Sequence, residues 1–313
     1  MAVMDRSYKR WDGDPMPHWQ RLLVIPEHGL REVFKRKLVR FLYILSLLPS
    51  LMLLIAAFVT THLDDLLALF PFLSELELDI GATAYHVFFR FQSFILFLLT
   101  LAGGPSLISR DLTNQALPLY LSKSLSRTDY VLGKGLVLLV LLAGASLLPL
   151  CTVYCLHWFW ADSDWRSEYG WLLSSLLTSG GAKILFLTIF VLAISAYVRR
   201  ARLAWVGLIG LFLLPWMCSR GFEEAARTRV AEVAAPKVLL SSIETWAFID
   251  RQAARAISNK NPVEKAIAET HDLVESRRPA PLTMPVVFAA LLGWLSAGLF
   301  AIYRKLRPVE VIG

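Results

Sequence analysis

The chain has 313 residues, 56% of them hydrophobic, with a mean hydropathy of +0.53 and a formal net charge of +7. A soluble domain carries about 45–50% apolar residues. Here the excess is gathered into runs that match the roughly 20 residues a bilayer-crossing helix needs, which excludes a soluble globular domain. The basic residues flank those runs and do not cluster with aromatics on a soluble module, which excludes nucleic acid as the partner.

Residues 1–26 are polar and rich in Pro and Trp, with Trp11 and Trp19 suited to the headgroup level. No apolar core follows the N-terminal charges, so no cleavable signal is expected. From Glu27 to Lys37, Leu30, Val33, Phe34 and Leu38 recur at helical spacing among Arg31, Lys35, Arg36 and Lys37. That pattern predicts an amphipathic helix on an anionic inner leaflet, or the basic flank of the first span.

Six spans are predicted, over about 38–61, 84–108, 135–160, 171–198, 203–218 and 282–303, with Pro49 a candidate kink in the first. The loop 62–79 has no Lys or Arg, and the loop 161–170 has one Arg against three acids. Basic residues flank the start of span one, both ends of 109–134, the link 199–202 and the C-terminal tail. The positive-inside rule then puts both termini and 109–134 in the cytoplasm, and 219–281 outside. Within 219–281 the pattern predicts a one-sided helix over about Pro236–Ile257 and a second over about Pro262–Ser276, capped by Asn261. The fold class is all-α and polytopic: residues 1–37 form an N-terminal cytoplasmic segment with an interfacial helix, and 38–313 form the six-span domain.

The stretch 109–134 reads SRDLTNQALPLYLSKSLSRTDYVLGK, a short polar interlude between two long apolar runs. Leu112, Ala116 and Leu119 predict a one-faced helix that ends near Pro118. Ser126 with Asp129 three residues on is a capping box opening the next helix. The order Asp111, Asn114, Ala116-Leu117, Leu121-Ser122, Ser126-Arg127, Tyr130, Gly133-Lys134 resembles the loop after the second membrane helix in permease subunits of type-2 ABC exporters. Ser124 departs from the resemblance, since many relatives carry Pro there.

The resemblance implies that this loop holds a coupling helix, after an interfacial helix and with short helices between spans five and six. It implies two permease halves, the second a copy of this chain or a different one. It implies two ABC ATPase subunits carrying ATP and Mg, with membrane lipid around the spans in a bacterial inner or plasma membrane. Arg110, Asp111, Leu112, Asn114, Leu117, Leu119, Tyr120 and Arg127 are then the expected ATPase-coupling residues. Some relatives pass ATP-driven motion to an outer partner, such as a metalloenzyme maturation factor, without moving a solute. On that alternative 219–281 is the dock for an extracytoplasmic protein.

No GxxxxGK[ST] phosphate loop occurs; Gly133-Lys134-Gly135 and Gly180-Gly181-Ala182-Lys183 abut spans with no preceding strand. The chain is therefore not expected to be an enzyme by itself or to bind a cofactor. No Ser-His-Asp order or HExxH suggests a hydrolase. Ionisable residues inside spans are functional candidates, which makes Lys183, Arg90 and His86 candidates for a translocation path. Arg90 and His86 can alternatively snorkel outward, and Lys183 can pair with a carboxylate or with backbone carbonyls. Cys151, Cys155 and His157 offer soft ligands at one-turn spacing, but packing explains two cysteines on an apolar helix equally well. No metal site is assigned.

Overall fold

A computed structural model describes residues 18–62, 80–115, 126–198, 201–226, 235–253 and 283–306. These residues are 91% helical, without a strand. That follows from a chain whose apolar runs need every backbone N–H and C=O satisfied within the segment. The helices are α1 (His18–Phe34), α2 (Lys37–Thr61), α3 (Ala82–Gly103), α4 (Ser106–Thr113), α5 (Arg127–Leu142), α6 (Leu148–Trp160), α7 (Ser163–Tyr169), α8 (Leu172–Tyr197), α9 (Ala201–Ala226), α10 (Pro236–Thr245) and α11 (Met284–Lys305). π-helical turns at Ala143–Leu147 and Trp246–Asp250 follow α5 and α10.

Five helical stretches are long and apolar enough to cross a membrane: Lys37–Thr61, Ala82–Thr113, Arg127–Trp160, Ser163–Tyr197 and Met284–Lys305. By length and composition the chain is a membrane protein. The fifth predicted span falls within α9, whose apolar part, Leu203–Pro215, is shorter than the others.

α8 is the central strut. It packs against α3, α4, α5, α6, α9, α10 and α11. Its sequence explains why: Ser175, Ser179, Gly180 and Ser195 are small and buried, so neighbouring helices approach closely. A Cβ on Gly180 would stand 2.7 Å from Leu147. One cluster of buried side chains runs from Val33 and Val39 through Leu138 and Leu187 to Ile302, and a second gathers Tyr85, Phe89, Leu172 and Phe248. Gln92 of α3, fully buried, ties three elements together. Its Nε2 donates to Ser46 O at 3.1 Å, Ser50 Oγ at 3.2 Å and Ala145 O at 3.0 Å. Ala145 lies in the first π-turn, where the ladder is locally altered.

The amphipathic helix starts earlier than its pattern suggests, at His18, and ends at Phe34. Arg36 is extended, and Leu38 falls on α2, half exposed. The break lets α1 turn away from α2 and lie along α5, where two glycines permit contact. A Cβ on Gly29 would meet Val137 at 2.5 Å, and one on Gly133 would meet Ile25 at 2.8 Å. α2 runs unbroken through buried Pro49.

The first helix expected in the 219–281 insertion is present as α10 (Pro236–Thr245) and the π-turn that follows it. α10 and its π-turn pack against α3, α8, α9 and α11, with Leu239, Ile243, Ala247 and Phe248 buried. The one-sided pattern read there is the reason: its apolar face needs a partner, and the bundle supplies one. The helix expected over 262–276 lies outside the described residues.

Candidate functional site

The loop end of the bundle is built around α4. Gly104 and Pro105 separate it from α3, and Ser195 of α8 fastens that break. The Ser195 hydroxyl accepts from the backbone N–H of Ile108 at 3.2 Å and Ser109 at 3.1 Å and donates to Pro105 O at 2.7 Å. Ile108 is in the first turn of α4, where the N–H groups lack an intrahelical acceptor. One buried hydroxyl therefore joins α4 rigidly to α8.

Two further cross-links hold the other sides. Asp111 Oδ2 accepts from Tyr130 Oη at 2.7 Å and pairs with Lys134 Nζ at 2.8 Å, both on α5. Arg110 pairs with Glu32 of α1. α5 opens with the predicted capping box: Ser126 Oγ accepts from Asp129 N at 3.2 Å, and Asp129 Oδ2 accepts from Ser126 N at 3.0 Å. Between α1, α4 and α5 lies a cavity of about 540 Å³, lined by Glu32, Arg36, Arg110, Asp111, Asn114 and Lys134 among others. Arg36 Nη1 donates to Ala102 O at 3.0 Å. Burial, then the nearby Arg110 charge, lower the Arg36 pKa from its ordinary value, while Glu32 opposes the shift.

The predicted coupling residues therefore divide. Asn114 and Arg110 are exposed, Arg127 is half-buried, and Leu112 turns inward against the core. Asp111, expected at a partner surface, is largely consumed by Tyr130 and Lys134. The helix ends at Thr113, before the predicted Pro118, because Gln115 adopts a left-handed φ of 53°. Leu117, Leu119 and Tyr120 lie outside the described residues.

A second cluster sits near the middle of α8. Lys183 pairs with Glu244 of α10, contacts Ser93 of α3, and lies over the Phe89 ring, 4.4 Å from its centroid. Both partners are buried. Of the alternatives the sequence left for Lys183, the carboxylate is realised. His86 is buried with its ring 5.5 Å from that of Phe248, and Arg90, one turn on, is exposed. Lys183 and His86 are thus packed against the α10 segment.

The end of the bundle away from α4 is an aromatic layer. Tyr85 Oη and His157 Nδ1 are 3.0 Å apart, and Trp165 covers the imidazole at 4.0 Å between centroids. That leaves His157 engaged and buried while Cys155 is exposed, so the three soft ligands do not converge. Among the described residues no group of His, Cys, Asp or Glu has the makings of a metal site.

Sequence reasoning missed Glu32, Ser195 and Glu244. Glu244 had a signal: it stands in the apolar-faced 236–250 stretch, in a chain with one lysine deep in a span. Ser195 had none, since a serine in an apolar run reads as packing.

No family model matches the chain, and no curated protein matches it.

Proposed function

We propose that the chain is the membrane-spanning subunit of an export system of the type-2 ATP-binding-cassette kind, driven by an ATPase on another chain. The observation that carries the reading is the anchoring of α4. This short helix ends the second apolar stretch and is fastened to three other helices, through Ser195, Lys134 with Tyr130, and Glu32. Force applied to its exposed Thr113–Asn114 end passes to α8, α5 and α1 together. That is the mechanical requirement for a coupling element. In this account α4 faces the cytoplasm, two such bundles pair, and closure of an ATPase dimer tilts them about a path whose contents are moved outward. ATP and Mg bind to the ATPase, and this chain performs no chemistry.

The test is purification of the tagged chain from its own membrane. An ATPase of the cassette class should accompany it, with turnover raised by the membrane chain, and Asn114→Trp should lower both. Absence of any such ATPase from the wild-type preparation overturns the reading.

One observation favours a second reading, in which the chain transmits motion to an extracytoplasmic partner. α10 is locked to the central strut by Lys183–Glu244, and its continuation reaches the aromatic end, where Thr83 contacts Gln252 at 3.4 Å. A shift of α8 would drag this segment and whatever binds beyond it. Partner binding lost on deleting 254–281, with ATPase assembly intact, selects this reading. Solute flux in reconstituted vesicles selects the first.

A further inference from the structure

We propose that the cavity between α1, α4 and α5 is a socket for an acidic side chain, aspartate or glutamate, of a cytosolic partner protein, received by Arg36. The inference rests on the reading above in taking that partner to be the ATPase subunit.

The charges around the cavity point to an anion. Three cations line it, Arg36, Arg110 and Lys134, against two carboxylates, Glu32 and Asp111. Arg110 closes on Glu32, and Lys134 closes on Asp111 at 2.8 Å. Arg36 is left over. It gives one N–H to Ala102 O and, among the described residues, has no carboxylate within ion-pair distance. A guanidinium carries five donors in a planar fork that fits a carboxylate through two parallel hydrogen bonds. In the free chain this one is half-buried beside the like charge of Arg110, and both effects disfavour its cationic form. An incoming carboxylate reverses that disfavour.

The lining argues for a side chain and against a lipid phosphate. Only Val33 and Leu107 are apolar among the lining residues, and Arg110, Thr113 and Asn114 are exposed. Acyl chains would find no apolar track there. About 540 Å³ is ample for one acidic side chain and its waters. Because α4 forms one wall, an acid seated on Arg36 would grip the coupling element from inside the bundle, while Asn114 meets the partner from outside.

The experiment uses the full chain in nanodiscs, titrated with the ATPase that accompanies it. Arg36→Gln should weaken binding at least about thirtyfold, the usual effect of removing one partner of a buried charge pair. Arg36→Lys should recover part of the loss. The same Arg36→Lys chain, treated with a zero-length carbodiimide, should form an amide to an Asp or Glu of the ATPase, located by mass spectrometry. Should Arg36→Gln fail to fold, that cross-link decides alone. Binding of Arg36→Gln within twofold of wild type overturns the socket while leaving the ATPase reading standing. So does an Arg36→Lys cross-link that reaches only Glu32 of its own chain, or co-purification of an anionic lipid that Arg36→Gln releases. A wild-type chain that binds no ATPase defeats the parent reading, and the socket with it.

Discussion

Lys134–Asp111 and Lys183–Glu244 are both lysine–carboxylate pairs between two helices, and they differ in what lies around them. The first is itself largely buried, its side chains 10% and 16% exposed, but it borders a cavity and adjoins Arg110–Glu32, whose side chains are 57% and 43% exposed. The second sits between the Phe89 ring and the helix backbones, with side chains 7% and 9% exposed. Water screens Arg110–Glu32, so that outer pair positions α4 at modest net energy, while Lys134–Asp111 behind it is largely shielded. Nothing screens the mid-bundle pair, so each of its charges depends on the other. A membrane protein that moves would place its adjustable contacts where the first cluster lies and its fixed ones where the second lies.

That contrast can be broken most forcefully at the mid-bundle pair. Lys183→Met or Glu244→Gln alone strands a buried charge or its partner and should cost about 3–5 kcal/mol of stability in a detergent unfolding titration. Lys183→Met with Glu244→Gln together should recover most of it. Single variants within about 1 kcal/mol of wild type would mean that water reaches the pair. Next in size is Tyr130→Phe, which removes the 2.7 Å hydrogen bond to the Asp111 carboxylate. A loss of about 1.5–3 kcal/mol is expected for a charged acceptor, together with weaker ATPase stimulation; unchanged stimulation would argue that α4 does not carry the coupling.

A comparable but purely steric effect is expected where α1 crosses α5. Gly133→Ala puts a methyl 2.8 Å from Ile25 and should cost about 1–3 kcal/mol by overpacking, relieved when Ile25→Ala is added. Absence of that compensation in a double-mutant cycle would place α1 elsewhere. The smallest effect belongs to Arg110 and Glu32. Their double-mutant coupling energy should be about 0.2–1 kcal/mol and fall with added salt. A coupling as large as that of Lys183 with Glu244 would erase the distinction between the two regions.

The apolar runs and their polar flanks made five of the six predicted spans legible in advance, because length and hydropathy are properties of the chain itself. So was the start of α5, since Ser126 and Asp129 satisfy each other's backbone locally. The end of α4 was not. Leu112, Ala116 and Leu119 keep helical spacing, but Gln115 turns left-handed, and side-chain periodicity carries no signal for that. The place of α10 was half legible: its one-sided pattern demanded a partner, yet nothing local said that the partner was α8 and not solvent or another protein. The loop-end site was least legible in its fastenings. Asp111 was singled out as a surface residue, but its contacts with Tyr130 and Lys134 come from helices meeting across 116–125.

The claim on which the account turns is that the α4 end faces the cytoplasm, where an ATPase can reach it. In a background with Cys151, Cys155 and Cys218 replaced, Asn114→Cys is to be treated with a membrane-impermeant maleimide in intact cells and in inverted vesicles. The account predicts labelling in the inverted vesicles and protection in the intact cells. Labelling in intact cells would contradict it.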